Sequence, residues 1–159
     1  MGRRFAIAHI MSSGYRSEPH PRQLFWYQRT ALIVSGSILL ALLATGYWLI
    51  PDPRGVGTHE QLGLPPCTIH LLWGLRCPGC GMTTSWAYYV RGQWVNSAQA
   101  NLGGMALAML STVLVPWALV SGARGRWCGQ PVGEKVAVAI ATTLVAVILM
   151  DWAIRLLID

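Results

Sequence analysis

Residues 30–50 read TALIVSGSILLALLATGYWLI, a run without a single charge. A bilayer's hydrocarbon core is about 30 Å thick and takes roughly 20 helical residues to cross. This run is long enough. Pro51 and Pro53 stop it, and aromatic pairs flank it: Trp26 and Tyr27 before, Tyr47 and Trp48 near its end. The 22 positions from Trp26 to Trp48 correspond to about 33 Å of helix, which fits an aromatic belt at each membrane interface.

Two further apolar runs follow. Residues 102–120 form a second candidate span, with Pro116 inside it; proline is tolerated in membrane helices, often with a kink. Residues 136–158 form a third, apolar without interruption from Val136 to Met150, with Asp151 and Arg155 near its end. Whole-chain composition agrees. Of 159 residues 53% are hydrophobic and only 11% charged, against about a quarter charged in a soluble domain; mean hydropathy is +0.44. Such a chain cannot cover a water-facing surface, which argues against a soluble globular enzyme, and disorder needs the opposite composition.

The expected fold class is therefore an all-α integral membrane protein. It has three transmembrane helices and a short interfacial helix that follows a Cys-x-x-Cys knuckle. Residues 1–28 read as a basic tail and 29–159 as a three-span membrane domain, with a cysteine-bearing segment at 51–101. Orientation follows from Lys and Arg in the flanking segments. Arg3, Arg4, Arg16, Arg22 and Arg29 precede the first span, and Arg124, Arg126 and Lys135 join the second to the third; the 51–101 segment holds Arg54, Arg76 and Arg91. The expectation is a cytoplasmic N-terminus, with the cysteine segment and the C-terminus on the outer side. The net charge of +6 is then a topology signal. Nucleic acid is not an expected partner, because no basic stripe interleaved with aromatics occurs.

The segment from Gly63 to Asn101 carries the chemistry. It opens with Gly63-Leu64-Pro65-Pro66-Cys67 and His70, then reads Gly74-Leu75-Arg76-Cys77-Pro78-Gly79-Cys80-Gly81-Met82-Thr83. Two cysteines two residues apart can share a metal or close a small disulfide ring, and Gly79 and Gly81 supply backbone freedom for a tight turn. Thr83 or Thr84 is expected to cap a short helix reaching Tyr89 or Val90, which Gly92 ends. A further helical run is expected from Asn96 into the second span, with Asn96, Gln99 and Asn101 as caps and interface contacts.

These elements, with the later Arg91-Gly92 and an Asn, resemble the bacterial membrane-protein family called domain of unknown function 2752. The likeness covers roughly 63–101 and the span after it. It implies a small multi-pass membrane protein with paired cysteines and no stated activity. Thr84 stands where the family pattern usually places Arg.

Three readings of the cysteines follow from the residues. In the first, Cys67, Cys77 and Cys80 with His70 form a Cys3His set for a tetrahedral zinc ion, with His59 able to substitute for His70. In the second, Cys77 and Cys80 form a membrane thiol–disulfide oxidoreductase, Cys77 attacking and Cys67 relaying, with helix-dipole support for a thiolate. In the third, Cys67 pairs with Cys77 or Cys80 to staple a loop of about ten to thirteen residues, worth about 2–3 kcal/mol in the chain-entropy model. The first and third make the protein a non-catalytic membrane component. Cys128, on the inner side, reads as a reduced thiol.

Other chemistry finds no support. Gly81 follows the second cysteine where covalent haem attachment needs His, the mononucleotide, dinucleotide and zinc-protease motifs are absent, and six acids scattered over the chain make a catalytic carboxylate pair implausible. Asp151 and Arg155 share a helix face and are expected to reach the headgroups near the outer end. Small-residue stripes at Gly104, Ala108 and Thr112, and at Ser37, Ala41 and Thr45, allow close helix approach. They suit packing of the spans, a protein partner or a homo-oligomer, beside the lipid bilayer itself.

Overall fold

The computed structural model describes residues 23–129 and 133–158. In chain order they form α1 (Trp26–Trp48), a 3-10 turn at Thr58–Leu62, α2 (Thr68–Trp73), α3 (Met82–Tyr89), α4 (Trp94–Ala100), α5 (Leu102–Arg124) and α6 (Glu134–Ile158). No strand occurs among the described residues; Gln23 and Arg126 make an isolated antiparallel bridge. The fold is all-helical, and α1, α5 and α6 are each long and apolar enough to cross a membrane. The expected tail at 1–28 lies mostly outside the described residues, and α1 already begins at Trp26, four positions before the uncharged run at Thr30. Gln28 sets this start by accepting the Phe25 N–H at 3.0 Å.

Helices α1 and α5 pack closely because glycine removes side chains where they meet. A Cβ on Gly122 would lie 2.7 Å from Cγ1 of Ile33, and one on Gly36 would lie 3.0 Å from Leu119. A Cβ on Gly46 would lie 3.3 Å from the Trp86 backbone, and one on Gly104 would lie 3.2 Å from Met82 and Ser85, so α3 wedges against both helices. The buried line on α5 runs Gly104, Ala108, Ser111, Val115, Ala118, Gly122. The expected stripes pack only in part: Gly104 and Ala108 are buried and Thr45 is half-buried, but Thr112, Ser37 and Ala41 are exposed; on α1 the buried positions are Gly36 and Gly46.

Helix α6 touches the rest along one stripe of its second half. Leu144, Val147, Ile148, Asp151, Trp152, Arg155 and Leu156 are half-buried while their neighbours face outward, the i, i+3, i+4 spacing of a packed helix face. Gly103 makes room for Ile148 at this crossing. The charged pair closes it: Arg155 Nε lies 3.0 Å from Asp151 Oδ2, with both side chains about one-sixth exposed (16% and 15%). Arg155 Nη1 also donates to Ala100 O at 2.6 Å, and Asp151 Oδ2 accepts the Leu102 N–H at 3.3 Å. The pair joins α6 to the α4–α5 corner; it does not extend away from the protein toward headgroups as expected. Bare carbonyls at the end of α4 and a bare N–H at the start of α5 are what a fixed cation and anion satisfy best.

Two ends of the bundle are thereby defined. At one, Leu24 N donates to Gly125 O at 3.0 Å, Arg29 Nη2 to Ala123 O at 3.3 Å and Trp117 Nε1 to Cys128 O at 2.9 Å. At the other lie the end of α1, the start of α5, the end of α6 and the whole of 51–101. There Arg91, in the turn after α3, donates to Gly46 O at 3.0 Å, Tyr47 O at 2.8 Å and Ala87 O at 2.7 Å. It caps the last turn of α1, whose carbonyls have no intrahelical partners.

Candidate metal centre

Cys67 sits directly before α2, and Cys77 and Cys80 lie in the turn before α3. Local hydrogen bonds shape that turn: Cys80 N donates to Cys77 O at 3.0 Å and Met82 N to Gly79 O at 3.1 Å. Gly81 then caps α3 in a left-handed conformation at φ +83°. Its Cβ would overlap the carbonyl oxygens of Ala100 and Gly55, so no other residue fits. Here the structure corrects two expectations. The caps assigned to Thr83 and Thr84 do not form, and Gly79 needs no left-handed backbone.

Thr84 is instead buried inside α3, 2.8 Å from the Thr58 hydroxyl, whose oxygen also accepts the Asp52 N–H at 3.0 Å. Asp52 in turn holds Arg54 by an ion pair of 2.7 Å. The hydrogen bonds and charge of Arg54 keep the Asp52 carboxyl below its ordinary range. Behind the turn, Ser85 Oγ donates to Asn101 O at 2.9 Å and Ser97 Oγ donates to Ser85 O at 2.8 Å. This fixes the α3–α4–α5 corner. The expected helical run into the second span is accordingly broken: α4 stops at Ala100 and Asn101 is extended.

Asn101 is the joint between turn and span. Its Oδ1 accepts the Gly104 N–H at 2.6 Å, an N-cap. Its Nδ2 donates to Cys80 O at 3.0 Å and Pro78 O at 3.2 Å. From the other side, Trp152 Nε1 of α6 donates to Arg76 O at 2.7 Å. The cysteine turn is clamped between two long helices.

The three sulfurs converge. All lie within 4.8 Å of one another, and Cys77 Sγ is 3.0 Å from Cys80 Sγ. Zinc–sulfur bonds of about 2.3 Å in a tetrahedron put sulfurs about 3.8 Å apart, inside that range. Burial pushes the Cys80 thiol up to about 12, and its hydrogen-bonding contact with Cys77 adds to this. That is opposite to the depression a helix dipole would give a reactive thiolate. Cys80 therefore holds its proton near neutrality, and a metal bound there would have to displace it.

A cleft of about 580 Å³ opens beside the sulfurs. Cys67, Cys77 and Cys80 line it together with Arg54, His59, Glu60 and Arg76. Sequence reasoning named His59 as a substitute ligand and did not place Arg54, Glu60 or Arg76 here. Arg76 directly precedes Cys77 in the chain, whereas Arg54 and Glu60 are brought here by the position of the 51–66 loop over α3. The His70 side chain lies outside the described residues. Cys128 is at the opposite end of the bundle, where its N–H donates to Ser121 Oγ at 3.1 Å.

Residues 67–115 match the family model described as Protein of unknown function (DUF2752). No curated protein and no solved structure matches the chain. The DUF2752 match starts on Cys67 and so contains all three converging sulfurs, α2, α3, α4 and the first part of α5. Helices α1 and α6 lie beyond it. The matched portion is the cysteine platform and the helix to which Asn101 fastens it.

Proposed function

We propose that this is a small, non-catalytic integral membrane protein whose cysteine platform is a zinc site of structural type. Cys67, Cys77 and Cys80 are the protein's thiolate ligands, and His70, one helical turn after Cys67, is the fourth candidate named by spacing. The single observation that carries this is the meeting of three sulfurs from two separate segments within 4.8 Å. A disulfide would use two of the three and leave one over. A tetrahedral metal uses them all.

The positive-inside count supports an inner N-terminus, an outer cysteine platform and an outer C-terminus. Residues 1–28 would then contribute a cytoplasmic basic tail to a three-span domain over 29–159. Helix α2, with Leu71, Leu72 and Trp73 exposed, has the composition of a segment lying in the interface. The unpacked first half of α6 suits lipid, a protein partner or a second copy.

The test is metal and thiol analysis of the full chain purified without chelators. About one zinc per chain, with Cys67, Cys77 and Cys80 alkylated only after chelation, is expected. In intact cells treated with chelator, an impermeant maleimide should label these three and spare Cys128. Absence of metal, with the three thiols reactive throughout, would overturn the zinc site, and labelling of Cys128 alone would overturn the orientation. A second reading, thiol–disulfide exchange, draws on the 3.0 Å approach of Cys77 and Cys80. It requires reversible oxidation in a redox buffer that is lost in Cys77→Ser.

A further inference from the structure

We propose that the platform carries a second site, beside the cysteines and independent of any metal on them, which binds a phosphoryl group at the height of the lipid headgroups.

Arg54 and Arg76 line two concavities. One is the cleft beside the sulfurs; the other, of about 300 Å³, is completed chiefly by Tyr88 of α3 and by Asn96, Gln99 and Ala100 of α4. The polar side chains of this second wall are two guanidiniums, a phenol and two carboxamides. Acids stand close by without lining it. Asp52 grips Arg54 along the Nε–Nη2 edge at 3.1 and 2.7 Å, which fixes the guanidinium by one side, and Glu60 lines the sulfur cleft only. Arg76 is half-buried, and its backbone is held where Trp152 Nε1 donates to its carbonyl at 2.7 Å.

The donor set selects the ligand. A guanidinium fork matches two oxygens of a carboxylate or a phosphate. A carboxylate has oxygens for one fork, whereas a phosphoryl group has enough for both arginines and still presents its edge to the neutral donors. Cations are disfavoured by the same two charges.

The height of the site has its own evidence. Gln99 and Ala100 end α4, just before α5 begins at Leu102. The 23 residues of α5 extend about 34 Å, slightly more than the hydrocarbon core of about 30 Å, so the start of α5 lies at the hydrocarbon edge. Trp94 and Val95 of α4 and Trp48 at the end of α1 are exposed at this level, where aromatic side chains anchor in the interface. The wall therefore stands in the layer that lipid phosphates occupy. A phospholipid headgroup and free inorganic phosphate offer the same group, and the test separates them.

The experiment is isothermal titration calorimetry of the full chain in dodecyl maltoside. The probes are inorganic phosphate, dihexanoyl-phosphatidylglycerol and, as a phosphate-free lipid control, dihexanoylglycerol. Saturable binding of at least one phosphorylated probe is expected, with none for the control. Tighter binding of the lipid would assign the headgroup as the source, and equal or exclusive binding of inorganic phosphate would assign the free ion. Arg76→Gln should weaken binding by about tenfold, the scale of one charge at a partly buried site. Gln99 is exposed, so charge can be placed there without disturbing the fold: Gln99→Glu should weaken binding by about threefold and Gln99→Lys should strengthen it by a similar factor. Arg124→Gln, at the opposite end of the bundle, should change nothing. No saturable binding of either phosphorylated probe would overturn the proposal, as would binding that is indifferent to both Gln99 variants. Either result would leave the zinc reading standing, because metal content is measured separately.

Discussion

Replacing Gly81 by Ala puts a methyl group into the joint between the cysteine turn and α3. Two costs add. A left-handed backbone, here at φ +83°, costs a non-glycine residue about 1–2 kcal/mol. The methyl also overlaps Ala100 O and lies 2.6 Å from Gly55 O; both are backbone atoms, which no rotamer change can move aside. Forcing a methyl into a packed site costs about 1–3 kcal/mol more, giving about 2–5 kcal/mol in all. Gly74→Ala is the matched control. Gly74 has φ +67° but nothing within 4 Å of its Cβ position, so only the backbone cost of about 1–2 kcal/mol applies.

The assay is denaturant or thermal unfolding of both variants in the same detergent, with metal content measured beside it. Gly81→Ala should be the less stable variant by about 1–3 kcal/mol. It should also lose metal, because Cys80 is the adjacent residue and its carbonyl is tied to Asn101 at 3.0 Å. Gly74→Ala should keep its metal. Equal stability of the two variants would refute the close docking of the turn between the end of α4 and the 51–66 loop.

Three further outcomes follow from the same geometry. Metal affinity should rise with pH: the Cys80 thiol, pushed up to about 12 without metal, is protonated near neutrality and must lose that proton to bind. Cys80 alone then contributes about tenfold in affinity per pH unit below that value, measurable by competition with a chromogenic chelator; a flat profile would contradict ligation by Cys80. Arg91→Met should cost about 2–3 kcal/mol in unfolding experiments, because Gly46 O and Tyr47 O lose a charged donor. Arg91→Lys should recover only part of this, since an ammonium lacks the guanidinium fork. Arg155→Met should cost about 3 kcal/mol by leaving Asp151 and the Ala100 carbonyl without their cation. The Asp151→Asn/Arg155→Met double variant should lose less than the two single losses combined, and strict additivity in a double-mutant cycle would argue against the contact.

The three long helices were legible because hydropathy over about 20 residues is a summed signal, insensitive to any single position. The cap at Asn101 and the short helix after Cys80 were legible for local reasons. What failed depended on rotation about a helix axis or on distant partners. Ser37 is the sequence neighbour of Gly36, yet one position turns a side chain through about 100°, which separates an exposed side chain from the packed face. Thr84 looked like a cap because threonine often is one. Its partner, Thr58, lies 26 residues earlier, and nothing near Thr84 announces it. Arg91 was counted as a loop charge, although the carbonyls it caps are 44 and 45 residues away. The convergence of Cys67 with the turn was open to sequence reasoning as a ligand-spacing hypothesis. The cleft wall was not, because Arg54 and Glu60 reach the turn, where Arg76 adjoins Cys77, only after the 51–66 loop settles on α3.

The location of the sulfurs has a thermodynamic consequence. The turn that carries Cys77 and Cys80 is held by Asn101 at the start of α5, by Trp152 of α6 on Arg76 O, and by the backbone fit at Gly81. Helix α3, which follows it, is wedged against Gly46 of α1. Each long helix therefore has one end fixed to the platform. A ligand that binds only the assembled arrangement stabilises it by an amount set by its concentration relative to its dissociation constant. Coupling of this kind is reciprocal. Metal on the cysteines would tighten the packing of the spans, and loosening a span, even at Gly36 or Gly122 far from the sulfurs, would weaken metal binding. With its lightly packed α6, such a small bundle gains more from a clamp at one end than a larger one would. A metal held there would act through the packing of the spans.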